Sequence, residues 1–186
     1  MPPSIDLWIA GSAQTKAFTP YVLVAWQTHE NGVMQPPCVE KYEQEGGCTL
    51  YLAYLRLIAD YVMNAEPGSH VHFFVPLSAI AEMFSKGRLA AAAQEGFRKK
   101  PKAHRAEARI LWEAMQSRRI AVTSAVPEAG SDDASRCDQL YKAADRKRRG
   151  IAEPTMEDLK LNEDPWHKDD PDFWRKRAME RDPWDK

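Results

Sequence analysis

No stretch of the 186-residue chain approaches the ~18–20 uncharged apolar residues that a membrane-spanning helix needs, so a membrane protein of that kind is excluded. Met1 to Asp6 carry no basic segment leading into an apolar one, so no secretory signal is visible. Cysteine is scarce. Cys38, Cys48 and Cys137 are odd in number and at no metal-ligand spacing, which predicts free thiols in a reducing, cytoplasmic setting. The histidines (His29, His70, His72, His104 and His167) form no ligand pattern with them. No Ser or Cys has a base partner legible in sequence, so triad-type hydrolysis has no support. No repeat of domain-building length occurs.

What the chain does have is 44% hydrophobic and 10% aromatic residues, enough to bury a core. Its net charge of −1 hides strong segregation. Lys and Arg number 3 against 8 acids over residues 1–85, but 10 against 3 over 86–119 and 5 against 1 over 142–149. Over 152–186 the balance returns to 7 against 11. Two basic blocks therefore lie between acidic flanks.

Residues 1–150 read as a folded domain and 151–186 as a charged, proline-punctuated tail. Strands are expected at Ile5–Ile9, Tyr21–Trp26, Val39–Tyr42, Val71–Val75 and Ile120–Val126, with a turn at Asn31-Gly32. Helical spacing marks Thr49–Met63, Ser78–Phe84, Ala106–Arg118 and Ala134–Arg148, and Pro67-Gly68 ends the first of these. The fold class is α/β, a mixed five-stranded sheet with flanking helices and an irregular tail.

The element order, with Gly11-Ser12 after the first strand, resembles ribonuclease HI. Glu128-Ala129-Gly130 followed by Ser135-Arg136-Cys137-Asp138-Gln139-Leu140 resembles that family's loop and last-helix segment. Lys99-Lys100-Pro101-Lys102, then Leu111-Trp112 and Arg119-Ile120, resemble its basic protrusion, following helix and last strand. The likeness extends over about residues 4–149 and implies an RNase H-like fold. It also implies cleavage of the RNA strand of an RNA–DNA hybrid by two divalent ions on four carboxylates.

Tested position by position, the implied ligands fall on Ala10, Thr49, Pro76 and Asp138, and the loop histidine falls on Glu128. Only Asp138 is retained, and hard Mg²⁺ cannot be held by a methyl group or a proline ring. Two other acids do not naturally replace the lost ligands. Asp6 lies on the same strand face as Ala10, but ~13 Å away, and Glu82 lies one to two helical turns past Pro76. Substrate contacts differ as well, since Glu45-Gly46 and Leu77-Ser78 replace polar residues of the family. Gly11-Ser12 remains, either as a sugar-approaching loop or as a plain turn.

The expectation is a catalytically inactive binding or assembly module without a cofactor or metal. The alternative is an active, Mg²⁺-dependent ribonuclease H with an unusual site. Candidate nucleic-acid contacts, sequence-independent and salt-sensitive, are Lys99, Lys100, Lys102, Arg105 and Arg109. Phe97 and Trp112 flank that stretch, either to stack on bases or as core, and Trp112 is assigned to the core. Arg146-Lys147-Arg148-Arg149 form a second basic block at a helix end. In the tail, Trp166, Phe173, Trp174 and Trp184 recur beside Asp-Pro steps. Indoles in so polar a segment suit a protein partner, or a fold-back onto the domain.

Overall fold

A computed structural model describes residues 3–13, 19–99 and 102–150, with backbone only at 102 and 103. Along the chain run β1 (Ser4–Ser12), β2 (Thr19–Glu30), β3 (Val33–Met34), β4 (Cys38–Cys48), α1 (Leu50–Asn64) and β5 (His70–Phe74). There follow α2 (Ser78–Ser85), α3 (Arg88–Gln94), α4 (Lys102–Arg118), β6 (Ala121–Ala125) and α5 (Asp132–Arg148).

β1 is central, and from Leu7 to Ser12 it is buried on both faces. It pairs antiparallel with β2 and parallel with β5, and β5 pairs parallel with β6. On the far side of β2 lie β4, against Thr19–Trp26, and β3, against His29–Glu30. Asn31 (φ 51°) and Gly32 (φ 80°) are both left-handed, the geometry a two-residue hairpin turn requires.

Alternation along β1 divides the core. Ile5, Leu7 and Ile9 face α1 and α4, packing on Leu52, Leu55, Ile58, Val62 and Leu111. Trp8 and Ala10 face α5, packing on Cys137, Leu140 and Ala144. The Trp8 indole stacks on Phe74 at 5.3 Å, lies 4.6 Å under the Arg136 guanidinium, and donates to Asp133. These contacts fix α5 across the sheet.

Several boundaries differ from the sequence expectation. The sheet has six strands, because the Asn31-Gly32 turn creates the two-residue β3 before the chain continues into β4. β4 runs on to Cys48, with Gly46 and Gly47 at φ 82° and 101° absorbing its irregular end. α3 was not foreseen; it follows Gly87, whose φ of 61° suits a glycine, and buries only Leu89. α4 begins one turn earlier than its apolar spacing indicates. Gly11 and Ser12 are the last residues of β1, not a loop. Among the described residues, no helix is long and apolar enough to cross a membrane.

Candidate functional site

β1, β5 and β6 are mutually parallel, and ligands of such sheets lie beyond the strands' carboxyl ends. There the structure opens a cavity of about 320 Å³, lined by Ala10, Gly11, Pro76, Val126, Pro127, Ala134, Cys137, Asp138 and Tyr141. Three of the four implied ligand positions thus come together. The fourth does not: the Thr49 hydroxyl accepts the Leu52 N–H at 3.2 Å, capping α1. Glu128 is exposed between β6 and α5 and is not a lining residue.

The chemistry of this wall is mostly apolar. Ala10 contributes a buried methyl and Pro76 a ring. The Cys137 thiol faces the Ile9 and Phe74 carbonyls, and burial pushes its pKa up to about 11, so it is no nucleophile at neutral pH. Asp138 is the one lining carboxylate, and Lys142 Nζ holds it at 2.6 Å, one turn along α5.

The displaced acids considered from sequence are engaged elsewhere. Asp6 faces His29 at 3.8 Å. Glu82 bonds Lys86 at 3.0 Å and Arg88 at 2.7 Å, and these cations hold its carboxyl below the usual range. His70 and His72 both meet the Thr123 hydroxyl, at 2.9 and 2.7 Å. Among the described residues, no three of His, Cys, Asp and Glu stand where they could hold a metal ion. A pair of divalent cations needs several hard oxygen donors, so these residues do not fit one.

Gly11-Ser12 is structural. A Cβ on Gly11 would lie 2.6 Å from Leu50 Cδ2 and 3.1 Å from both the Leu23 carbonyl and Tyr54 Cε1. Ser12 is 2% exposed; its hydroxyl donates to Asp145 at 2.8 Å and accepts from Arg148 Nε at 2.9 Å. Both residues pack the strand against α1 and α5; the Ser12 hydroxyl is engaged, and Gly11 borders the cavity.

In the basic protrusion, Lys99 pairs with Glu95 at 2.7 Å and Arg105 donates to the Arg98 carbonyl at 2.9 Å. Arg105 and Arg109 flank a shallow hollow on α4 with Ala106 and Ile110. Lys100 and the side chain of Lys102 lie outside the described residues, as do Trp166, Phe173, Trp174 and Trp184. Phe97 is buried, and Trp112 is half-buried against the same core, so both serve packing. Sequence reasoning missed Tyr141 and Lys142 at the cavity. The four-residue step from Asp138 to Lys142 was the available signal.

No family model matches the chain, and no curated protein matches its sequence. Solved structures do. The N-terminal RNase H domain of a Mycobacterium tuberculosis protein, determined as a maltose-binding-protein fusion, superposes with TM-score 0.54 at 12% identity. That match covers 80% of this chain and 99% of the other. RNase H1 of Halobacterium salinarum gives 0.53 at 10% identity, over 77% and 98%. The prototype foamy virus protease–reverse transcriptase gives 0.58 at 13% identity, over 81% of this chain but 21% of that longer one. The likeness shows a ribonuclease H-like fold.

Proposed function

We propose that the chain is a catalytically silent ribonuclease H-like module that binds nucleic acid through its basic protrusion and a protein partner through residues 151–186. The observation that carries the first part is the cavity itself. Where two-metal hydrolysis needs carboxylates, the chain presents Ala10, Pro76 and a capping Thr49, and its remaining Asp138 is neutralised by Lys142. The cysteines are free, in keeping with a reducing compartment such as the cytoplasm.

Binding is supported by charge. Lys99, Lys100, Lys102, Arg105 and Arg109 lie within eleven residues that hold one acid, Glu107. Such a cluster neutralises phosphates without reading sequence. One neighbour of this fold, the foamy viral protease–reverse transcriptase, has been solved in complex with an RNA/DNA hybrid. The test is fluorescence anisotropy of a labelled RNA–DNA hybrid at stepped salt, with Mg²⁺ present and the hybrid recovered afterwards. Intact hybrid should be recovered, and reversing Lys99, Lys100, Lys102 and Arg105 should lower the log–log salt slope by roughly 0.7–0.9 per lost contact. An unchanged affinity in that variant removes the protrusion from the proposal.

The tail reading rests on sequence. Trp166, Phe173, Trp174 and Trp184 are anchors of the type that dominates interfaces, and Asp-Pro steps favour extended backbone around them. A protein ending at Gly150 should keep its fold and lose the partner. A marked loss of stability with unchanged partner recovery would instead make the tail a cover for its own domain.

A further inference from the structure

The residues that line the cavity and the second basic block share a helix. Asp138, Lys142, Arg146 and Arg149 follow at intervals of four, four and three, so they form one stripe along α5. The steps along the axis are about 6, 6 and 4.5 Å, the last reaching Arg149, which caps the helix. Lys142 and Arg149 side chains are 62% and 58% exposed, and Arg146 is exposed as well. Between 138 and 149 there are five cations and two acids, and both acids are already satisfied. Asp138 is held by Lys142, and Asp145 by Arg148, Arg149 and the Ser12 hydroxyl. Lys142 and Arg149 are the partners in those pairs, so the stripe presents an exposed Arg146 and a net excess of positive charge to an external anion.

At the head of that stripe sits the cavity. Its size suits one ring system rather than a strand or helix. Pro76, Pro127 and Tyr141 are among its lining residues, and Tyr141 (46% exposed) and Val126 (45% exposed) are two of the few large hydrophobics left open to solvent among the described residues. On its edge the Asp138–Lys142 pair offers one acceptor and one donor. The combination is an apolar slot with an aromatic lining residue, a hydrogen-bonding edge, and cations leading away from it.

We infer that this face binds single-stranded nucleic acid, with one unpaired base in the cavity on the Tyr141 ring and the backbone phosphates along Arg146 and Arg149. The base stacks on Tyr141 and hydrogen-bonds the Asp138–Lys142 edge. A paired base cannot enter, because its ring faces are covered by neighbours and its edge by its complement. Stacking tolerates any base, so selection is for strandedness rather than sequence. The inference rests on the nucleic-acid-binding reading above but uses a different surface, α5 rather than the 98–109 protrusion.

The experiment uses the full chain and three labelled probes: a single-stranded oligonucleotide, the same strand in a DNA duplex, and the same strand in an RNA–DNA hybrid. Tyr141→Ala and the pair Lys142→Glu/Arg146→Glu alter exposed side chains, and their melting temperatures serve as the control for folding. Tyr141→Ala should weaken the single strand by about five- to a hundredfold and leave duplex and hybrid unchanged. Lys142→Glu/Arg146→Glu should weaken it further and lower its salt slope by roughly 0.7, for the one phosphate contact of Arg146. Lys99→Glu/Arg105→Glu should act on the hybrid. If these α5 variants bind the single strand as the parent does while the hybrid still binds, the inference is overturned and the protrusion reading stands. An equal loss on all three probes overturns it too, since the cavity would then not select unpaired bases. If the parent binds none of them, both readings fail together.

Discussion

Lys142 reaches back one turn of α5 to hold Asp138, its Nζ 2.6 Å from the carboxylate, at the edge of a cavity whose other walls are mainly apolar. The pair is solvent-exposed, and a single carboxylate, paired or free, supplies too few hard oxygens to hold a divalent cation here. Its companions at this end of the sheet, Ala10 and Pro76, supply no oxygen ligand.

Freeing Asp138 should not restore a metal site. The pair is exposed, so Lys142→Ala should cost no more than about 1 kcal/mol. Melting followed with and without millimolar Mg²⁺ should show no upward shift in either protein, because binding to the folded state alone would raise stability. A Mg²⁺-dependent rise confined to Lys142→Ala would mean that the ammonium, not the missing carboxylates, keeps metal out.

At Gly11, β1 lies so near α1 that a side chain would meet Leu50 and Tyr54. Gly11→Ala places a methyl 2.6 Å from Leu50 Cδ2, which can move, and 3.1 Å from the Leu23 carbonyl, which is strand backbone. The expected loss is about 1–3 kcal/mol by thermal or denaturant unfolding. Adding Leu50→Ala should recover only part of it, because the carbonyl contact remains. Full stability in the single variant would contradict the packing account.

The acid limb of stability should depend on Asp145. Hydrogen bonds from Arg148, then Ser12, hold its carboxyl below the ordinary value of 3.8. A lowered folded-state pKa contributes stability that is present above the unfolded value and is lost as pH falls through the folded one. Asp145→Asn should therefore be less stable than the parent at neutral pH, and the gap should close below pH 3.8. A gap constant with pH would show that the cluster does not act through charge.

Burial raises the Cys137 thiol to about 11, so at neutral pH almost none of it is thiolate. Alkylation of the native chain should label half-buried Cys38 well before Cys137, and denaturation should abolish the difference. Rapid native labelling of Cys137 would contradict the packing of α5 on the sheet.

Much of the fold was legible because β1, β2, α1 and α5 carry strong periodicity and clear punctuation. Asn31-Gly32 announces its hairpin, and Pro67-Gly68 closes the segment that follows α1. Elements without such signals escaped. α3 is an alanine-rich segment that buries one leucine, and β3 is two residues long and exposed. At the site, sequence placed Ala10, Pro76 and Asp138 at matching positions, and the structure brings them to one cavity. It could not show that Gly11-Ser12 is interior, since packing against Tyr54 and Asp145 depends on contacts far apart in the chain. Nor did it show the cavity's open rim, because Tyr141 and Val126 resemble core residues until their exposure is seen.

The proposal that this chain performs no two-metal chemistry is tested most directly by hybrid cleavage. The purified full chain is incubated with an end-labelled RNA–DNA hybrid in Mg²⁺ and separately in Mn²⁺, beside an Asp138→Ala protein and an active ribonuclease H. The account predicts intact RNA in every lane except that of the active enzyme. Metal-dependent cleavage by the parent chain that disappears in Asp138→Ala would contradict it.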